Sequence, residues 1–163
     1  FWVKMKLCLT FLSLFAFAKL VQSVTFEDCG STANISSLHV SGCVQEPCDL
    51  VINSTATIQF DFLPVNNYKK LKTQVFGIIL GKPPVPFLGV KGNACKSLSY
   101  GECPIKEYMM YSYSEEIKIL NSFPKIAVPV KWVLSKNLRE KEMIVCLIVK
   151  CRIVDPMGTE LDK

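Results

Sequence analysis

Four stretches of this chain alternate apolar and polar side chains with period two, and that pattern limits the fold more than any other feature. In the stretch from Phe123, from Val128 on, Val128, Val130, Trp132 and Leu134 share one parity and Pro129, Lys131, Val133 and Ser135 the other, the side expected to face water. Ala56, Ile58, Phe60 and Phe62 alternate with Thr57, Gln59 and Asp61. Tyr108–Leu120 sets Tyr111 and Tyr113 on one parity, with Ile117 and Ile119 resuming it after Glu115 and Glu116. Met143–Val154 sets Leu147, Val149, Cys151 and Ile153 against Ile148, Lys150 and Arg152. Successive side chains of a strand point to opposite faces, so each stretch reads as a strand with one buried face. The aromatic face around Trp132 is the wall that the remainder closes around.

The intervening segments fit the same class. Val24–Phe26, Ile35–Ser41 and Lys70–Leu80 read as further strands, and Gly42–Cys48 as a turn. Gly81–Gly92, GKPPVPFLGVKG, carries three prolines and three glycines, which keep it out of a central strand. Its apolar Val85, Phe87 and Leu88 are either loop packing or the rim of a pocket. Ser135–Glu142 is a charged hairpin loop, and no helix is expected after the N-terminal leader. Short strands separated by Pro, Gly and Asn turns predict an all-β chain, an antiparallel β-sandwich.

Residues 1–23 read as a secretory signal: Lys4 and Lys6, the short apolar run Leu7–Ala18, then Val21-Gln22-Ser23. The run is short for a bilayer span. Cleavage after Ser23 leaves 140 of the 163 residues, and loss of Lys4, Lys6 and Lys19 reduces nineteen basic residues to sixteen against fourteen acidic ones. A charge near +2 is no nucleic-acid arm. The expected organisation is a leader over 1–23, one domain over 24–154 and a polar tail over 155–163. The sequons at Asn34 and Asn53 fit a secreted route.

Cys8 leaves with the leader, and seven cysteines stay: Cys29, Cys43, Cys48, Cys95, Cys103, Cys146 and Cys151. In a secreted chain most should be paired. Cys43–Cys48 and Cys95–Cys103 are close enough to clasp local loops, leaving Cys29, Cys146 and Cys151 for one long bridge and one spare thiol. Spacing alone does not fix the connectivity. The core parity of Cys151 makes it the choice for the free thiol, which would behave there as a small hydrophobe.

No catalytic, metal or cofactor residue set is expected. There is no G-x-S-x-G, H-E-x-x-H or phosphate loop, and the single His39 lies on a polar face. Glu115 and Glu116 are adjacent, so on a strand they point to opposite faces and cannot flank one bond.

A series of short motifs runs through the chain: Phe26-Glu27-Asp28-Cys29-Gly30, Cys43 with Glu46-Pro47-Cys48, Gly77-Ile78-Ile79-Leu80-Gly81 and Pro84-Val85-Pro86-Phe87. Ala94-Cys95-Lys96-Ser97, Cys103-Pro104-Ile105, Tyr111-Ser112-Tyr113, Phe123-Pro124, Trp132 and Cys146 complete it. Their order and spacing resemble those of the ML lipid-recognition domain family, nearest to its cholesterol-carrying members and more distantly to the group 2 mite allergens. The resemblance implies an immunoglobulin-like sandwich with an apolar ligand between its sheets. It implies the bridges Cys29–Cys146, Cys43–Cys48 and Cys95–Cys103. It also places Phe87, Ile119 and Phe123 at a pocket mouth and Trp132 on its wall, with Ile58, Phe60, Val75, Val128, Val130 and Val149 lining the remainder.

The implied function is a secreted, non-enzymatic carrier of one sterol or fatty acid, extracellular or in the lysosome lumen. It would be monomeric and could deliver to a membrane sterol transporter or receptor. The alternative is a module that presents lipid or semiochemical to an immune or chemosensory partner. This chain departs from the cholesterol carriers in an extra residue within Lys82-Pro83-Pro84, in Gly89-Val90-Lys91, and in Lys118 where they have proline; a lysine at the mouth can pair with a carboxylate.

Overall fold

The computed structural model describes residues 24–137 and 142–156. The expected leader, the centre of the charged 135–142 loop and most of the polar tail lie outside these residues. The strands are β1 (Glu27–Asp28), β2 (Asn34–Val40), β3 (Cys48–Val51), β4 (Thr55–Leu63) and β5 (Lys72–Gly77). They continue with β6 (Val85–Pro86), β7 (Leu98–Tyr100), β8 (Tyr111–Lys118), β9 (Ala127–Ser135) and β10 (Met143–Val154). A 3₁₀ turn, Ala94–Lys96, precedes β7.

Two sheets face each other. One runs β1-β10-β9-β5-β6, with β3 also on β10; the other runs β2-β4-β8-β7. All pairings are antiparallel except β3–β10, which sets Cys48 beside Cys151 and Leu50 beside Ile153 in parallel. The architecture is thus the immunoglobulin-like sandwich, with one parallel pair that the alternation did not foretell.

Register carries the parities into a shared interior. Val128, Val130 and Trp132 of β9 stand opposite Cys151, Val149 and Leu147 of β10, and Phe60 and Phe62 of β4 opposite Tyr113 and Tyr111 of β8. Phe60, Phe62, Tyr113, Trp132 and Leu147 are all buried. Phe60 stacks on Tyr113 with centroids 4.9 Å apart, and Tyr113 meets Trp132 edge to face across the sheets at 6.1 Å. Such offset and edge contacts add to the stabilisation from area burial.

Some expectations shift. Residues 24–26 are not strand; the pairing starts at Glu27, opposite Ile148. Val133 and Ser135, on the parity expected to face water, are buried. Val133 stands opposite Cys146, where the chain from Cys29 is bonded and covers the outer face. Glu115 is also buried, whereas Glu116 is exposed.

The disulfides are Cys29–Cys146, Cys43–Cys48 and Cys95–Cys103, with Cys151 a buried free thiol. Burial, reinforced by the Glu46 charge, pushes the Cys151 thiol up to about 12. The thiolate is the reactive form. Native protein at pH 8 is therefore expected to leave Cys151 unlabelled by iodoacetamide, with one label per chain gained in denaturant, read by mass. Labelling of the native chain at the denatured rate would show that the thiol is accessible.

Candidate functional site

Two apolar cavities lie in series at one end of the sandwich. The outer one, about 70 Å³, is lined by Gly77, Ile79, Val85, Pro86, Phe87, Phe123, Pro124, Ile126, Val128 and Ile153. The inner one, about 30 Å³, is lined by Val40, Leu50, Ala56, Thr57, Ile58, Phe87, Ile117, Val130, Trp132, Val149 and Cys151. Phe87 lines both and forms the partition between them.

Local structure fixes the partition. The proline-rich segment returns alongside β5, pairing Val85 with Gly77 and Pro86 with Phe76. Prolines suit this edge, where no further strand needs their missing N–H. Phe87 N–H donates to Val75 O at 2.8 Å, which pins the ring over the opening. Phe123 meets it edge to face at 5.3 Å. The Phe123 turn is closed by Phe123 N–H donating to Leu120 O at 3.1 Å, and Ile153 N–H ties to Ile126 O at 3.0 Å. Gly77 forms the floor: a Cβ there would lie 3.1 Å from Val128 Cγ2 and 3.3 Å from Phe87 Cε2. Any side chain at that position would intrude on the partition.

The rim around the outer cavity is apolar and exposed. Leu80 follows Ile79, Leu88 follows Phe87, Val85 is itself lining, and Leu120 closes the Phe123 turn; all four are exposed. Lys118 sits on the outward face of β8 and does not line either cavity. The lysine beside the mouth is instead Lys82, exposed and turned back onto Ile79 O by its N–H.

Seven of the ten residues expected to line a pocket do so. Phe87, Phe123 and Val128 line the outer cavity; Ile58, Val130, Trp132, Val149 and again Phe87 line the inner one. Phe60, Val75 and Ile119 are buried on the interior faces but lie outside both cavities. Ile119 is held away by its backbone bonds to Ser54 and Asn53. Gly77, Ile79, Ile126, Leu50, Ile117 and Ile153 are lining residues that sequence reasoning did not single out as such. The core parity of Ile117 and Ile153 was their available signal. Asn34 and Asn53 are both exposed.

The sequence profile described as the ML domain matches residues 23–153. The chain belongs to the ML-domain family. Among relatives, it is 37% identical over 135 residues to the ecdysteroid-regulated 16 kDa protein of Manduca sexta, covering 81% of this chain and 90% of that one. It is 33% identical over 132 residues to NPC intracellular cholesterol transporter 2 of Bos taurus, covering 80% and 86%. The crystal structure of a Niemann-Pick type C2 protein from Japanese carpenter ant superposes with a TM-score of 0.70 at 27% identity, covering 80% of this chain and 99% of that one. In this ML domain the inner cavity is lined from both sheets, by β2, β4 and β8 on one side and β3, β9 and β10 on the other, whereas the outer one is lined by β5, β6, β9, β10 and the Phe123–Ile126 segment.

Proposed function

We propose that this ML-domain protein is a secreted carrier that takes one apolar lipid, a sterol or a fatty acid, between its sheets through the Phe87–Phe123 gate. The observation that carries this reading is the pair of apolar cavities divided by a single aromatic side chain and opening on an apolar rim. The name of the bovine relative, a cholesterol transporter, supports the ligand class.

The energetics suit a carrier. Each 100 Å² of apolar ligand surface removed from water contributes roughly 2.5 kcal/mol, offset by the entropy of association. Useful affinity then needs little polar recognition. Typical ligand pockets hold about 300–1,000 Å³, more than either cavity here. Loading therefore requires Phe87 and the 81–92 loop to swing outward, joining the two spaces and wedging the sheets apart. Nothing in this cycle calls for bond chemistry, so the chain acts by binding alone. Delivery to a membrane transporter or receptor, outside the cell or in the lysosome lumen, belongs to the same proposal.

A fluorescent sterol and a fluorescent fatty acid titrated into the protein test the reading. Saturation by one of them at one molecule per chain is expected. Phe123→Ala should weaken it about tenfold, the equivalent of ~1.4 kcal/mol, with an unchanged far-ultraviolet spectrum. Equal affinity in that variant would remove Phe123 from the gate.

A further inference from the structure

One buried charge lines neither cavity. Glu115 of β8 is 2% exposed, and among the described residues it has no ion-pair partner. Burying a carboxylate is costly unless donors replace the water it loses. Both of its donors come from the chain just downstream of the gate. Ser97 Oγ–H donates to Oε2, and the Lys91 N–H donates to Oε1 at 3.4 Å. Ser97 is itself buried, and its carbonyl accepts from the Ser114 N–H at 2.8 Å. So β8 holds residues 91–97 by side chain and by backbone.

The same segment is bonded to the other sheet. Thr73 N–H donates to Gly92 O at 3.3 Å, and Ala94 N–H donates to Leu71 O at 3.0 Å. Residues 91–97 therefore bridge the start of β5 and β8. Upstream, the gate loop is tied to β5 as far as Phe87. Between these two anchors lie Leu88, Gly89 and Val90, whose amides have no acceptor among the described residues. Gly89 has φ +88 and Gly81, at the other end of the loop, has φ +75, each with open space where a Cβ would stand. Glycine turns through such conformations at little steric cost, so the two bound a segment that can pivot.

Building on the carrier reading, we propose that Glu115 is the positioning residue of the gate: its carboxylate clasps Lys91 and Ser97, so that the segment between Gly81 and Gly89 swings while residues 91–97 stay bound to both sheets. Glu115 touches no ligand and acts on the rates of entry and exit. A charged acceptor suits the task. Its hydrogen bonds are roughly twice as strong as neutral ones, so the anchor holds while the bond from Phe87 N–H to Val75 O opens.

Hydrogen exchange on the parent chain, resolved by residue with NMR, tests the clasp without a ligand. The Lys91 amide is expected to exchange at least about tenfold more slowly than those of Leu88, Gly89 and Val90, after correction for sequence. Exchange as fast as theirs would overturn the proposal. Glu115→Gln keeps the shape but loses the charge and one acceptor oxygen. Trypsin should then cut the Lys91–Gly92 bond about tenfold faster, with cleavage after Lys131, inside β9, at the parent's rate, which separates local release from a general loss of stability. Stopped-flow mixing with the fluorescent sterol or fatty acid reads the gate. Glu115→Gln should raise uptake and release together by about fivefold and leave Kd within about twofold, because the anchor is common to the empty and loaded chain. Ser97→Ala removes the other donor and should move both rates the same way by about threefold, so the role is decided even where Glu115→Gln does not fold. Parent-like rates in both variants, or a change confined to Kd, would overturn the positioning role and leave the carrier reading standing. A parent chain that takes up neither lipid would overturn both.

Discussion

Replacing Phe87 by aspartate is expected to lower lipid affinity by at least about 100-fold, or ~2.7 kcal/mol, while leaving the fold intact. Phe87 is the side chain common to both cavities, so any ligand reaching Trp132 must pass or displace it. A carboxylate there either stays charged against the bound lipid or gives up its hydration, and both outcomes are costly in an apolar site. The fold should survive because Phe87 is only partly buried and its segment is held by backbone bonds, Phe87 N–H to Val75 O among them. Phe87→Leu keeps the apolar partition and should bind within a few-fold of the parent. Unchanged binding of a fluorescent sterol and fatty acid by Phe87→Asp would mean that the ligand enters elsewhere.

Removing the Cys29–Cys146 bridge, as Cys29→Ala with Cys146→Ala, should cost about 5 kcal/mol on the loop-closure estimate, against about 2 for Cys43–Cys48. The difference follows from sequence separations of 117 and 5 residues. The long bridge also anchors β1 on β10, where Cys29 N–H donates to Cys146 O at 3.0 Å and Ala33 N–H to Ile144 O at 2.9 Å. A loss of this size is a large part of the stability of a domain. It should appear as a large drop in the midpoint of denaturant unfolding for the Cys29/Cys146 variant and a smaller one for the Cys43/Cys48 variant. Equal drops would show that the native strain and packing at each bridge, not chain closure, set its contribution.

The faces of the strands were legible in the sequence, and positions along them were not. Period two told which side of β4, β8, β9 and β10 turned inward, because each strand packs one face on an apolar interior. Phe60 and Val75 have the right parity and still miss both cavities. Whether an inward residue meets a partner or a gap depends on its level in the sandwich, which register across several strands decides. β3 and β7 were hidden because each is short and sits at or between bonded cysteines, where the sequence reads as turn. β3 also owes its place to a parallel pairing with a strand a hundred residues later, a long-range contact no local pattern announces. Glu115 shows the converse. Its parity pointed inward, but a charged residue reads as a break unless the polar partners that shelter it, Ser97 and the Lys91 amide, are known.

The most direct measurement is the native mass of protein made in eukaryotic cells, followed by extraction and identification of whatever is bound. One apolar molecule per chain, held by the parent and absent from Phe87→Asp, is the expected result, and its identity would separate sterol from fatty acid. A chain recovered without ligand that also fails to take up either fluorescent lipid would contradict the carrier reading: the cavities would then be packing gaps in a closed sandwich.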